Sequence, residues 1–331
     1  MNTKKRARLV SIGAIMALIA SVGGSAAVAQ THLTTMVFQG VQNLPLFAAQ
    51  QKGFFAKHDL VVDQKIAPSS QELRDGLAQA RYQIVHTAVD NAVAMAEHAN
   101  ADIVVVIGGD NGWNDLVVQP HIESYGDLRG KAVVVDAPDT AFAFQLYQML
   151  KLNGVGLNEI TVKPVGATRF RLQAMTADKS IGASMLNLPF SLLAEQVGLK
   201  RFATAVDVIG PYLSTCGFLL RPWAKDNGDT LVRYIQAYIE GVRWTLDPAN
   251  KAEATEMLAK NLHIGPEIAA KSYGIAVDPK AGFAKDGKID TEGFANVLKL
   301  RAELHGDWGG KPPSLERYID LAYYQRALAG L

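Results

Sequence analysis

The sequence of 331 residues contains a single cysteine, Cys216. One thiol excludes an intrachain disulfide framework and any multi-cysteine zinc site. In its apolar, strand-like surroundings Cys216 reads as a small buried hydrophobe. A charge excess is missing as well: 33 Lys and Arg stand against 32 Asp and Glu, for a net charge of +1. Nucleic-acid binders normally carry a basic excess on one face, so no nucleic-acid partner is expected. The catalytic motifs H-E-x-x-H, Walker A and G-x-S-x-G are all absent. Residues 182–186 begin like a nucleophile elbow but lack its final glycine, and 154–156 begin like a dinucleotide loop but place Glu159 where the third glycine belongs. Residues 286–290 lack the ligand spacing of a calcium loop. The seven histidines are scattered without metal spacing. No catalytic residue, no metal and no cofactor is therefore expected.

Long apolar runs are also scarce. One lies at the start, where Lys4, Lys5, Arg6 and Arg8 precede the stretch 9–22 and Ala27-Val28-Ala29 follows it. At about 14 residues the run is short of the roughly 20 a spanning helix needs. Basic flank, apolar centre and an A-x-A exit predict a secretory signal peptide over 1–29 and a periplasmic, soluble, monomeric product. Its removal would leave 302 residues with a net charge of −3. Such a length predicts two domains or lobes.

From Thr31 onward, short β-rich runs alternate with amphipathic stretches. Strands are expected at 33–40, 61–68, 82–88 and 101–110, with helices at 44–60 (broken at Gly53), 70–80 (capped by Ser70) and 90–99 (capped by Asp90). The series restarts with strands at 132–138, 160–166 and 180–190 and helices between them. Phe142, Leu146, Met149 and Leu150 mark one apolar helix face. The segments 116–122 and 210–222 read as crossovers, and after Trp223 the chain is mostly helical with a hairpin-like insert near 278–290. The pattern predicts an α/β fold with open parallel sheets flanked by helices. The expected lobes are 30–117 plus 213–331, and an inserted 118–212. Ligand would sit between them at the carboxyl ends of the strands.

The stretches LPLFAAQQKGFFAKHDLVVD, GDLRGKAVVVDAPDTAFAFQLYQML and VGATRFRLQAMTADKSIGASMLNLPFSLLAEQVG, in this order, resemble the nitrate/sulfonate/taurine type of solute-binding protein of ABC transporters. Their similarity covers nearly all of the chain after residue 29. It implies a type II periplasmic-binding fold, with two lobes, two hinge segments and a central cleft. It also implies a small organic solute delivered to an ABC permease with its ATPase. The related pyrimidine-precursor proteins, some of them thiamin-pathway enzymes, share the fold. A ligand-sensing partner of a membrane receptor is a further alternative. One departure is that Leu188, not an acid, precedes Pro189, which argues against an amine ligand held there.

Strand ends supply the candidate ligand contacts. In the first lobe they are Gln39, Gly40 and Asn43, Ser69 and Ser70, His86 and Thr87, then Asp110, Asn111 and Trp113. For His86 a core role is as plausible as a ligand contact, and Trp113 suits either stacking on a ligand or covering the hinge. In the second lobe they are Pro138, Asp139 and Thr140, Thr168 and Arg169, and Asn187. Helix starts at 139–140 and 166–168 suit an anion. Arg169 is the strong cation that can be placed near the cleft, while Arg171 is expected to point elsewhere. This balance predicts a sulfonate or carboxylate ligand.

Overall fold

The structure is a computed structural model that describes residues 30–279 and 281–331, so the export signal read over 1–29 lies outside the described residues. Among the described residues, ten strands form two five-stranded sheets. The first holds β1 (Thr31–Val37), β2 (Leu60–Ile66), β3 (Ile84–Ala88), β4 (Ile103–Asp110) and β10 (Thr215–Leu220), in the order β2-β1-β3-β10-β4. The second holds β5 (Asp115–Val118), β6 (Ala132–Val135), β7 (Thr161–Pro164), β8 (Ile181–Leu186) and β9 (Lys200–Thr204), in the order β7-β6-β8-β5-β9. Helices α1 (Leu44–Gln51), α2 (Phe54–Lys57), α3 (Ser70–Ala78) and α4 (Val89–His98) belong to the first lobe. Helices α5 (Ala141–Leu152), α6 (Thr168–Ala177), α7 (Phe190–Gln196) and α8 (Ala205–Ile209) belong to the second. After β10 come α9 (Arg221–Asp226), α10 (Gly228–Leu246), α11 (Lys251–Leu262), α12 (Pro266–Ala276), α13 (Thr291–Leu304) and α14 (Ala322–Ala329). Among the described residues no helix is long and apolar enough to cross a membrane.

Both sheets are mixed rather than purely parallel. β10 runs antiparallel to β3 and β4, and β5 runs antiparallel to β8 and β9. The runs taken for crossovers are therefore largely embedded strands. The residues 115–117, expected in the first lobe, pair in the second sheet. The links between the sheets are the shorter segments 111–114 and 210–214. A β-rich run looks the same in sequence whether it bridges two sheets or is inserted into one. The strand β9 and helix α8 are additions to the expected series.

Each sheet is packed on both faces, which explains why β4 reads as one continuous apolar run, buried at every position. A further apolar cluster, including Val41, Leu44, Trp113, Leu188, Leu192 and Phe283, joins residues of both lobes and the hinge. The break after α1 falls at Gly53, whose φ of 76° suits glycine. Two expected caps move: Ser69, not Ser70, accepts the Glu72 N–H at the start of α3, and α4 begins at Val89 with Asp90 buried inside its first turn. Of the stretch near 278–290, residues 281–290 form a loop with a short turn, Lys285–Gly287, and one bridge from Phe283 to Asp110, rather than a hairpin.

Candidate functional site

The carboxyl ends of β1, β3 and β4, together with the start of the antiparallel β10, meet one edge of the second lobe. A small cavity of about 40 Å³ lies between them. Its aromatic lining is Phe38, Trp113 and Phe142, and its polar lining includes Gln42, His86, Thr87, Asp110, Asn114, Thr168, Asn187, Ser214 and Thr215. Such a volume holds on the order of three waters. A larger recess, about 830 Å³, opens on the surface beside Phe283 and Arg243. It touches the hinge at Asn111 but none of the other strand-end residues, so the interlobe cavity is the candidate site.

Three buried polar atoms in this lining have no hydrogen-bond partner: His86 Nδ1, Asp110 Oδ2 and Asn187 Oδ1. Asp110 is 1% exposed, and its Oδ1 accepts the Gly112 N–H at 3.0 Å. Burial pushes its carboxyl up to about 6, partly offset by the Thr215 and Ser214 hydroxyls and the Gly112 N–H. His86 shares a hydrogen between Nε2 and the Tyr234 hydroxyl, 3.0 Å apart. Burial lowers its pKa to about 3, so the ring is neutral at pH 7. Asn187 donates through Nδ2 to Gln42 Oε1 and to the Leu188 carbonyl, both at 3.1 Å, which turns Oδ1 into a free acceptor. A lining with a carboxylate and an amide oxygen left over asks its occupant for N–H or O–H donors.

The cavity gathers six of the residues expected from sequence: His86, Thr87, Asp110, Trp113, Thr168 and Asn187. The others lie around it. Asn43 donates to the Phe38 carbonyl at 2.7 Å and so shapes the loop after β1. The Gln39 carbonyl accepts from Asn187 Nδ2 at 3.5 Å, and a Cβ on Gly40 would lie 2.4 Å from that nitrogen. Ser69 caps α3. Ser70 donates to Asp136 Oδ2 and Asp139 faces Arg74 at 3.4 Å, both across the lobe boundary. Pro138 is exposed, and the Thr140 hydroxyl donates back to the Ala137 carbonyl at 2.9 Å. Asn111 lines the outer recess.

Arg169 is half-buried against the ring of Phe170, 4.4 Å from its centroid, and does not line the cavity. Arg171, expected to point away from the cleft, does not line the cavity either and is buried within the second lobe. It is 1% exposed. Its guanidinium donates to the Gly166 carbonyl at 2.6 Å, to Thr168 Oγ1 at 2.9 Å and to the Met185 carbonyl at 3.1 Å. The ring of Phe142, 4.6 Å away, covers it. Helical spacing brings position 171 toward the sheet and turns 169 outward, which reading the first turn alone does not reveal.

Sequence reasoning missed Phe38, Gln42, Asn114, Phe142, Ser214 and Thr215. Phe142 was placed on the core face of α5, where Leu146, Met149 and Leu150 are fully buried; it packs against that core and also lines the cavity. Ser214 and Thr215 enter the site because β10 is inserted antiparallel.

A family model described as the NMT1-like family matches residues 26–259. The chain belongs to the NMT1-like family. No curated protein matches it. Solved structures place this NMT1-like chain among the periplasmic-binding folds. The ligand-binding component of an ABC-type import system from Staphylococcus aureus, with zinc bound, is similar at TM-score 0.77 and 14% identity, over 90% of this chain and 99% of that one. The periplasmic nitrate-binding protein NrtA from Synechocystis PCC 6803 is similar at TM-score 0.75 and 14% identity, over 91% of this chain and 89% of that one. The alkanesulfonate-binding protein SsuA from Xanthomonas axonopodis pv. citri, bound to MOPS, is similar at TM-score 0.70 and 15% identity, over 89% and 100%. What the NMT1-like chain shares with these proteins is the fold.

Proposed function

We propose that this protein is the periplasmic solute-binding component of an ABC importer. It captures a small, flat solute bearing N–H or O–H donors between its lobes and presents it to a permease driven by its ATPase. The observation that carries the reading is the pairing of three aromatic rings, Phe38, Trp113 and Phe142, with the unpartnered acceptors Asp110 Oδ2 and Asn187 Oδ1 in one interlobe cavity. His86 adapts to either polarity, because a neutral imidazole presents a donor or an acceptor according to its tautomer. Rings stack between aromatic side chains, and a carboxylate selects amino or amidinium groups. Aminopyrimidines have this chemistry.

The anion reading would draw on Arg171, whose Nε is buried without a partner but which does not line the cavity. Against it, the other guanidinium nitrogens are committed to Thr168 and to backbone carbonyls, and Asp110 adds a negative charge to the lining. Calorimetry with aminopyrimidines, sulfonates and carboxylates of matched size tests the two readings. Aminopyrimidines should bind tightest, and Asp110→Asn should weaken them by on the order of tenfold or more. Tighter binding of a sulfonate, unaffected by Asp110→Asn, overturns the proposed ligand class. Turnover of the bound ring, followed by product analysis, would replace the transport reading with an enzymatic one.

A further inference from the structure

A second cluster lies away from the cleft, where α4 ends against the segment that follows α13. His98 is the last residue of α4, and His305 and Asp307 come just after α13. His98 Nε2 stands 3.2 Å and His305 Nδ1 2.7 Å from the same oxygen, Asp307 Oδ1. The three atoms lie within 4.8 Å of one another. We propose that His98, His305 and Asp307 bind a divalent transition metal of the zinc class, which clips the segment after α13 onto α4.

Two imidazole nitrogens and one carboxylate oxygen suit zinc, with a fourth position left for water. Tetrahedral bonds of 2.0–2.1 Å set neighbouring ligand atoms about 3.3 Å apart. The His98 separation already matches. The His305 separation must widen by roughly half an ångström, and a side chain 39% exposed can do so. His98 is 43% exposed and the carboxylate 6%, so a metal approaches from the histidine side onto a fixed oxygen. Asp307 Oδ2 is held by Arg301 Nε at 2.9 Å, the kind of outer partner that orients a metal-binding carboxylate. Arg301 is fully buried and also pairs with Asp90 at 3.3 Å. Two carboxyl groups thus share one guanidinium.

Arg301 Nη2 also lies 3.2 Å from His98 Nε2, and a guanidinium only donates, so a metal that takes Nε2 displaces this contact. Next to the cluster, Trp308 takes a left-handed backbone (φ 55°) and donates from Nε1 to Glu97 Oε2 at 2.9 Å, so metal binding would fix a turn that already docks on α4.

The test is titration of the untagged, chelator-treated protein with zinc chloride, followed by cobalt(II) spectroscopy. Wild type should bind one zinc, show the visible bands of four-coordinate cobalt and melt at a higher temperature with zinc. His98→Gln and His305→Ala should each weaken zinc at least tenfold with unchanged far-ultraviolet dichroism, while His121→Ala should bind like wild type. The proposal fails if the wild type takes up no zinc, or if the His98→Ala/His305→Ala double variant retains the wild-type affinity and stoichiometry. A His305→Ala variant that loses stability although wild type ignores zinc would assign the cluster to hydrogen bonding alone.

Discussion

Ser70, at the start of α3, donates its hydroxyl hydrogen to Asp136 at the end of β6, across the boundary between the lobes. Both residues are buried. The same helix sends Arg74 to Asp139, and the Ala167 N–H donates to the Pro68 carbonyl at 3.1 Å. On the other side of the cleft, the Val41 N–H donates to the Leu188 carbonyl at 3.1 Å. The lobes are thus joined by polar contacts that lie outside both sheet ladders, beside the apolar cluster around Trp113 and Leu188.

The Ser70 contact gives the first prediction. Ser70→Ala leaves Asp136 buried with an unmet acceptor, at a cost of about 1–3 kcal/mol to the closed arrangement. Small-angle scattering should show a larger mean radius of gyration than for wild type, with the circular dichroism of both lobes intact. Equal radii for the two proteins would show that this hydroxyl does not hold the lobes together.

Asp110 gives a pH dependence of unusual sign. Its carboxyl sits at about 6 in the fold, against 3.8 as its ordinary value, so the folded form binds the proton more tightly than the unfolded chain. Stability from this group is complete below pH 4 and is lost as the pH rises through 6. The loss is on the order of 3 kcal/mol. His86 has the opposite slope: its pKa of about 3 in the fold, against 6.5, makes stability rise with pH over that window. The two oppose each other between pH 4 and 6 and flatten the wild-type profile. Asp110→Asn removes one of them. Its melting temperature should gain on wild type progressively from pH 4 to 7, as followed by thermal denaturation. A difference that stays constant with pH would mean that Asp110 titrates as an ordinary exposed acid.

The two arginines of α6 separate cleanly. Arg171→Ala leaves two carbonyls and a hydroxyl without their buried donor, at a cost of about 1–3 kcal/mol or more. Arg169→Ala removes a half-exposed side chain lying on Phe170, and should stay within about 0.5 kcal/mol of wild type. Urea unfolding measures both. Equal effects would contradict the burial assigned to Arg171.

Periodicity and turn chemistry made most of this fold legible. β1 to β4 with their helices follow from alternating apolar runs and glycine breaks, and β4 announced burial on both faces. The insertion of β10 and the pairing of β5 with β8 and β9 were not legible, because register between distant strands leaves no local mark. The site followed the same division. His86, Thr87, Asp110, Trp113, Thr168 and Asn187 reach the cavity because they stand at strand ends, helix starts or hinges. Arg169 was placed at the cleft because it stands near a helix start, but that position says nothing about which face a side chain takes. Ser70 and Asp139 sit where a ligand contact was expected, but the partner each meets is the opposite lobe.

That approach of the lobes yields a last prediction with its own control. Gly166 has φ +87°, and a Cβ there would stand 3.2 Å from the Pro68 carbonyl oxygen across the cleft. Gly154 has φ +74° and nothing within 4 Å of its Cβ position. Alanine at either site meets the same left-handed backbone penalty, about 1–2 kcal/mol. Alanine at 166 alone also pushes on the opposite lobe, where the neighbour is backbone and cannot swing aside. Gly166→Ala and Gly154→Ala should therefore lose similar stability in urea, but scattering should show a more open molecule for Gly166→Ala only. Aminopyrimidine binding should weaken for Gly166→Ala and remain at wild-type strength for Gly154→Ala. If both variants open equally, or neither does, the contact between Gly166 and Pro68 does not limit closure.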